Sequence, residues 1–133
     1  MIKKYKILKR NIEIKEQNIA KLKEICYGST FNNPKEEKVN SSRKNIEDNQ
    51  HNMLQKILDL EIKLNKDKMR CLRLYNKIYK VLNMLDNELY KIIISEYDIN
   101  ELTFEEIAEK YNYSYEYIKR LHSLAIKSFY KTI

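Results

Sequence analysis

The chain has 133 residues, a formal net charge of +7, one Gly, one Pro and no Trp. Sheets and long loops need Gly and Pro at their turns, so this composition favours an all-α protein of about one domain in length. The positive charge favours an anionic partner, with nucleic acid first, although abundant Lys, Ile, Asn and Tyr are also typical of AT-rich genomes.

Residues 2–27 are predicted to form the first helix. An apolar stripe at helical spacing, interrupted by Lys15, comprises Tyr5, Leu8, Ile12, Ile19, Leu22 and Cys26. Gly28 suits the end of this helix because Gly accepts the left-handed conformation there. Residues 28–40 are polar, contain the single Pro and are predicted to form a loop.

A helix of roughly 45 residues is predicted from Ser41 or Ser42, and it would span nearly 70 Å. Its apolar residues alternate in steps of four and three, with Asp67 as the one exception: Met53, Ile57, Leu60, Leu64, Cys71, Leu74, Ile78, Val81 and Leu85. This repeat is typical of a coiled coil. It must be covered by residues 2–27, by another subunit or by both, and its length leads us to expect a homodimer through the long helix.

The heptad phase slips near Leu85, and Asp86 is predicted to cap a new helix over residues 87–97. Its expected inward side chains are Leu89, Ile92, Ile93 and either Glu96 or Tyr97. We therefore predict two parts, a helical hairpin or coiled-coil stalk over residues 1–85 and a small head over residues 86–133.

Residues 103–126 predict a helix-turn-helix. Thr103 and Glu106 have the spacing of a capping box at the start of its first helix. The buried positions of that helix follow at i, i+3, i+4 and i+7, namely Phe104, Ile107, Ala108 and Tyr111. A short helix followed by a tight turn and a second helix is how a reader of the DNA major groove is built.

The second helix is predicted to begin after a turn at Asn112-Tyr113, with Ser114 as its N-cap. Its inward positions are Ile118, Leu121, His122 and Ala125. We also expect Tyr113 to be buried and His122 to be a hydrogen-bonded residue at the core edge, because no second metal ligand lies at a suitable spacing. Phe129 and Tyr130 are expected to close the head.

The outer face of the second helix carries the candidate DNA-binding residues, with Ser114 at its start: Ser114, Glu116, Lys119, Arg120, Ser123 and Lys127. An Arg that binds guanine O6 and N7 is worth roughly 1–3 kcal/mol of discrimination. A Glu can accept a hydrogen bond from cytosine N4, and Ser114 with the first helix amides suits a phosphate. The alternative for Lys119 and Arg120 is an ordinary solvated surface. Lys110, Lys127 and Lys131 would be sequence-independent phosphate contacts.

Residues 88–128 resemble region four of sigma-70-class sigma factors. The shared pattern consists of Thr103, Glu106-Ile107-Ala108, Ser114, Glu116, Ile118-Lys119-Arg120 and Ala125. This resemblance implies a promoter-binding head whose base-facing residues are Tyr115, Glu116, Lys119 and Arg120. Sigma factors usually have Arg at the position of Tyr115 and Gln at that of Arg120, so the resemblance does not carry over the −35 target sequence. Tyr115 would pack on a thymine methyl group, or be an ordinary exposed Tyr.

A narrower resemblance is to phage-encoded regulators of late genes, described as sigma-like or ArpU/RinA-like. It is carried by Tyr113-Ser114, Leu121-His122, Ala125 and the stretch Lys38-Val39-Asn40-Ser41-Ser42. It implies a phage or prophage protein that binds double-stranded DNA at the nucleoid of a bacterial host, with RNA polymerase as a further partner. Those regulators often have Gly and Lys before the Thr, where this chain has Glu101 and Leu102.

Two alternatives stay open. The head could be a protein-interaction module that binds RNA polymerase or another protein, or the chain could be a small DNA-packaging, terminase-like subunit that oligomerises through its stalk. Cys26 and Cys71 match no disulfide or metal motif, and we expect reduced core residues in a cytoplasmic protein. We expect no enzyme activity, cofactor, metal or membrane span, because no catalytic motif and no long apolar run is present.

Overall fold

The computed structural model of the protein describes residues 1–28 and 40–133, with side chains from residue 47 onward in the second range. Every regular element in these ranges is helical, so the predicted all-α fold is confirmed. The elements in chain order are α1 (Ile2–Gly28), α2 (Asn40–Met84), α3 (Glu88–Ile94), a π-helical turn (Ser95–Ile99), α4 (Phe104–Tyr111) and α5 (Tyr115–Thr132). The predicted loop lies outside the described residues, apart from Gly28 and Asn40, which belong to α1 and α2.

The contacts divide the chain into two units, Leu8–Cys71 and a second unit made of Met1–Ile7 with Leu72–Ile133. We call Leu8–Cys71 the hairpin and the second unit the head, which from here on has these wider bounds instead of the predicted residues 86–133. The division lies within α2, whereas the predicted boundary at residues 85/86 follows the end of that helix. None of the described helices has both the length and the apolar character of a membrane span.

In the hairpin, α1 and α2 pack side by side through the two apolar stripes that the sequence predicts. The buried members are Ile12, Ile19, Cys26, Ile57 and Leu64. The ion pairs Lys23–Glu61 and Lys68–Glu16, at 2.5 and 2.8 Å, show that the helices run antiparallel, because an earlier residue of α1 pairs with a later one of α2. The α2 stripe over this range is therefore covered within the chain.

Neither Cys26 nor Cys71 forms a disulfide in the described part of the chain. Cys26 is buried and Cys71 is partly buried. Burial raises the pKa of the Cys71 thiol, which favours its protonated, less reactive form.

In the head, the first turns of α1 join the end of α2 and the four later elements. Ile2 and Tyr5 are buried, and the Tyr5 ring lies 6.1 Å from that of Tyr75. The central side chains, all at most 1% exposed, are Ile78, Ile93, Ile94, Ile107, Ala125 and Phe129. The predicted closure of the head by Phe129 is confirmed, while Tyr130 is exposed.

Three details of the α3 region differ from the prediction. The N-cap is Asn87 instead of Asp86, because the Asn87 side chain accepts a hydrogen bond of 2.9 Å from the Leu89 amide. The α-helix ends at Ile94 and continues as the π-helical turn to Ile99. Ile92, predicted to face inward, is 36% exposed, because the buried face is centred on Ile93 and Ile94.

Candidate nucleic-acid interface

Thr103 begins α4 as the sequence predicts. Its Oγ accepts a hydrogen bond of 3.1 Å from the Glu106 amide, which satisfies one of the unpaired amides at the helix start. The Glu106 carboxylate accepts a bond of 3.2 Å from the Thr103 hydroxyl. The two residues of the predicted capping box thus contact each other. The bond to the Glu106 carboxylate comes from the Thr103 hydroxyl, whereas in a capping box it comes from the backbone amide of the N-cap residue.

The turn between α4 and α5 depends on Asn112. Its φ of 59° and ψ of 42° lie in the left-handed region, where Asn is tolerated better than most residues other than Gly. The Tyr113 amide then donates to the Ala108 carbonyl at 2.9 Å, which closes the end of α4. Ser114 follows as the N-cap of α5, and its Oγ accepts a bond of 3.2 Å from the Tyr117 amide, as predicted.

The inner faces of α4 and α5 meet through the predicted positions. Ile107 and Ala108 of α4 are buried, and so are Ile118, Leu121 and Ala125 of α5. Because these residues fill the inner side of α5, the residues about half a turn away must face solvent.

The outer face of α5 is exposed as predicted, at Glu116, Lys119, Arg120, Ser123 and Lys127. Among the described residues, none of the three basic side chains in this group forms an ion pair. The Ser123 hydroxyl donates to the Lys119 carbonyl of its own helix at 3.4 Å. The three cations are therefore available to an external anion.

Charge separates the two helices of the motif. The α4 segment carries exposed carboxylates at Glu105, Glu106 and Glu109, whereas α5 carries four basic side chains and one carboxylate. A phosphate backbone would be repelled by the first set and attracted by the second. The geometry therefore favours an anionic partner on the α5 side.

The tyrosines around the turn differ from the prediction. Tyr113, predicted to be buried, is 41% exposed, because it lies in the turn after the left-handed Asn112 and belongs to neither helix. Its ring packs against the ring of Tyr117 with centroids 4.9 Å apart. Tyr115 is exposed, but its ring lies edge-on to Phe104 at 6.2 Å, on the side of α5 that faces α4.

Two residues next to the predicted site were missed. Tyr117 and Leu124 are exposed, and they lie three residues before and four residues after Arg120. Residues at these spacings share one side of a helix. The same spacing rule, applied outward from Arg120, would have identified both from the sequence.

Buried acid groups on the π-helical turn hold α5 in position. Asp98 is 3% exposed, and a hydrogen bond of 2.8 Å joins its carboxylate to Nε2 of His122. The Lys6 ammonium lies 2.5 Å from the other carboxylate oxygen. The His122 ring also contacts the rings of Tyr97 and Phe104. The prediction of a hydrogen-bonded histidine at the core edge is confirmed.

Glu96 connects the same turn to α4. Its carboxylate accepts bonds from Lys110 at 2.6 Å and from Asn100 at 3.0 Å. The hydrogen bond from Lys110 lowers the pKa of Glu96, and the bond to Glu96 raises the pKa of Lys110. Lys110, considered above as a phosphate contact, is thus paired inside the head. In the described part of the chain, no three His, Cys, Asp or Glu side chains are grouped so that they could hold a metal ion.

Comparison with protein families agrees with this geometry. A family model described as sigma-70, region 4 matches residues 82–131, which extend from the end of α2 through most of α5. Residues 82–131 therefore form a helix-turn-helix that is similar to region 4 of sigma factors, which is a DNA-binding type of domain. Searches of curated proteins and of solved structures found no match.

Proposed function

We propose that this protein is a sequence-specific DNA-binding transcription regulator whose α5 enters the major groove. The observation that carries the proposal is the pair Lys119 and Arg120. Both are exposed on the outer face of a capped helix, and neither has an ion-pair partner among the described residues. The match of residues 82–131 to sigma-70 region 4 supports the same role.

Each outer side chain has a role in this mechanism. Arg120 binds a guanine edge, Glu116 accepts from a cytosine amino group, and Lys119 binds a base edge or a phosphate. Ser114 uses an oxygen lone pair for the Tyr117 amide, so its hydroxyl hydrogen can still donate to a phosphate. Lys127, two turns further along, adds a sequence-independent phosphate contact.

The wider proposal concerns the origin and partners of the protein. We propose a phage- or prophage-encoded regulator, on the resemblance of Lys38–Ser42 and Leu121-His122 to phage late-gene regulators. It would act in the cytoplasm of a bacterial host, at the nucleoid, where its DNA target lies. Homodimerisation through α2 and a contact with RNA polymerase belong to the same proposal, and the sigma-like head supports the latter.

The test is binding of the full chain to fragments that tile its own gene neighbourhood, at two salt concentrations. We expect one fragment to be retained over competitor DNA. Lys119→Ala/Arg120→Ala should weaken that binding at least about tenfold, because a specific base contact is worth roughly 1–3 kcal/mol. It should also reduce the salt slope by about one if Lys119 binds a phosphate, because one cation no longer displaces a counterion.

The matched control is Lys56→Ala/Lys63→Ala, which removes the same charge from exposed positions of the hairpin. This control should leave specific binding nearly unchanged. Equal weakening by both double variants, with no fragment preferred, would reduce DNA binding to a general effect of net charge.

A protein-interaction module is the second candidate, and the exposed glutamates of α4 favour it because they repel a phosphate backbone. It predicts a protein partner that is retained by Lys119→Ala/Arg120→Ala, together with no DNA binding even at low salt.

A further inference from the structure

The α2 helix carries a second apolar stripe, on the side that α1 does not cover. Five large apolar side chains of this stripe are each between 51% and 55% exposed: Leu58, Ile62, Met69, Leu72 and Tyr79. Successive members are four, seven, three and seven residues apart, which fits a seven-residue repeat. Asn65 and Asn76 occupy the two positions that complete the repeat, and both are exposed. The stripe is a second heptad seam that the sequence analysis did not identify.

This outer seam is distinct from the packed one. Leu58 directly follows Ile57, and Asn65 directly follows Leu64; Ile57 and Leu64 are buried in the hairpin. With about 100° of rotation per residue, the centres of the two seams lie roughly 150° apart around α2. The outer seam therefore cannot be covered by the partner that covers the inner one.

The two asparagines indicate what kind of partner would fit. An Asn in an apolar seam costs stability unless its amide is hydrogen-bonded, and an amide can both donate and accept. It can therefore pair with a copy of itself, which is how Asn specifies register in two-stranded coiled coils. Ile62 precedes Asn65 by three residues, so Ile62, Met69 and Asn76 take the a positions, and Leu58 and Leu72 take d positions. Among parallel coiled coils, an Ile at a with Leu at d favours two strands over three or four.

We propose that this outer seam forms a parallel, in-register two-stranded coiled coil with a second copy of the chain. Asn65 and Asn76 then each face the same residue of the second copy. The inference rests on the homodimer in the proposed function and adds its surface, its register and its direction.

The charges along the seam favour the parallel direction. A parallel pair brings Lys66 close to Glu61 of the second copy, across the e and g positions, and Glu61 is also paired with Lys23 of its own chain at 2.5 Å. Arg73 then neighbours Lys68 of the second copy, but Lys68 is already paired with Glu16 at 2.8 Å. The antiparallel alignment that also joins the asparagines brings Lys66 next to Arg73 of the second copy. Neither Lys66 nor Arg73 has an ion-pair partner within its own chain among the described residues. The two cations would therefore repel each other in the antiparallel alignment.

The first measurement is the mass of the full chain by sedimentation equilibrium, without DNA. We expect twice the chain mass of 16.2 kDa. Leu72→Glu should raise the dissociation constant at least about tenfold, because like charges would meet in the seam. Its helical circular dichroism should be unchanged, since Leu72 is half exposed. Ile14→Glu is the matched control, because Ile14 is 50% exposed on α1 and lies outside the seam. It should remain a dimer.

The second measurement tests the direction of the pair by oxidation of Leu58→Cys. In the parallel dimer the two copies of residue 58 face each other, whereas the antiparallel alignment separates them by roughly 38 Å at 1.5 Å per residue. A disulfide needs Cα atoms within about 7 Å, so only the parallel dimer yields a covalent dimer. Lys77→Cys, on another side of α2, and the wild type with its two native cysteines are the controls.

A dimer that is lost in Leu72→Glu and trapped in Leu58→Cys would support the proposal. A monomeric wild type, a ring of many subunits, or a dimer that persists in Leu72→Glu would overturn it. A dimer that is lost in Leu72→Glu but not trapped through position 58 would overturn the parallel register. Because no DNA is present, none of these results bears on whether α5 reads a DNA site.

Discussion

Lys15 and Asp67, 52 positions apart in the chain, form an ion pair across the two helices of the hairpin. Each is the polar interruption of its own apolar stripe. The Asp67 side chain is only 14% exposed, and the hydrogen bond from Lys15 lowers the pKa of its carboxyl group below the ordinary value of 3.8. Arg70, at 3.9 Å, adds a weaker attraction. The pair therefore aligns α1 with α2 at the one level where neither stripe is apolar.

Removal of one partner should destabilise the hairpin more than removal of both. Lys15→Met leaves the Asp67 carboxylate among apolar neighbours without its hydrogen bond, while Lys15→Met/Asp67→Leu replaces the pair with apolar contacts. In urea unfolding at pH 7 we expect the single variant to be less stable than both the wild type and the double variant. Additive losses would show that the pair has no coupling.

The same pair has a predicted pH dependence. Because the folded pKa of Asp67 is lowered, its stabilising contribution is fully present above 3.8 and is lost as the pH falls below that value. The difference in unfolding free energy between the wild type and Lys15→Met should therefore shrink between pH 5 and pH 2, which are about one to two units on either side of this value. A constant difference over that range would contradict the assignment.

Ser114→Ala should lower the stability of the head by about 1 kcal/mol, the usual cost of losing an N-cap. The affected group is the Tyr117 amide, which would lose its acceptor at 3.2 Å. Thermal unfolding measures the change. Ser123→Ala is the control, since its hydroxyl only donates to the Lys119 carbonyl at 3.4 Å, and we expect a change within about 0.5 kcal/mol. Equal effects would mean that the cap contributes nothing specific.

Glu96 should make the head sensitive to acid. Its pKa is lowered from 4.5, mainly by the bond from Lys110, so its contribution is present above pH 4.5 and is lost as the pH falls further. Glu96→Gln should unfold at a lower temperature than the wild type at pH 7, and this difference should be smaller at pH 3, which lies below 4.5. Calorimetry at both pH values tests this, with the exposed Glu105→Gln as a control. An equal deficit at both pH values would contradict it.

Tyr115 and Tyr117 should separate stability from DNA binding. Tyr115→Ala removes an aromatic contact with Phe104, and we expect a loss of about 0.5–1.5 kcal/mol in unfolding free energy. Tyr117 lies beside Arg120 on the outer side, so Tyr117→Ala should weaken DNA binding more than Tyr115→Ala does. The reverse order in a binding titration would support the base-facing role of Tyr115 that the resemblance to sigma factors implies.

The local features of the motif could be predicted from the sequence because each depends on residues within about one helical turn. The caps at Thr103 and Ser114 and the buried positions Ile107, Ile118 and Leu121 are of this kind. The prediction that Tyr113 is buried was wrong because Tyr113 lies in the turn after the left-handed Asn112, where a helical repeat does not apply. The prediction that Ile92 faces inward was wrong because the buried face of α3 is centred on Ile93 and Ile94.

The sequence alone determined that the described chain is helical, where the motif helices begin, and which face of α5 is polar. These properties follow from hydrogen bonds and side-chain spacing over three or four residues. Only the tertiary structure decided that Lys15 pairs with Asp67, that Asp98 is buried against His122, and that α1 covers one stripe of α2 while Leu58 and Leu72 stay exposed. Those choices depend on which distant surfaces meet, and helical periodicity carries no information about the partner of a face.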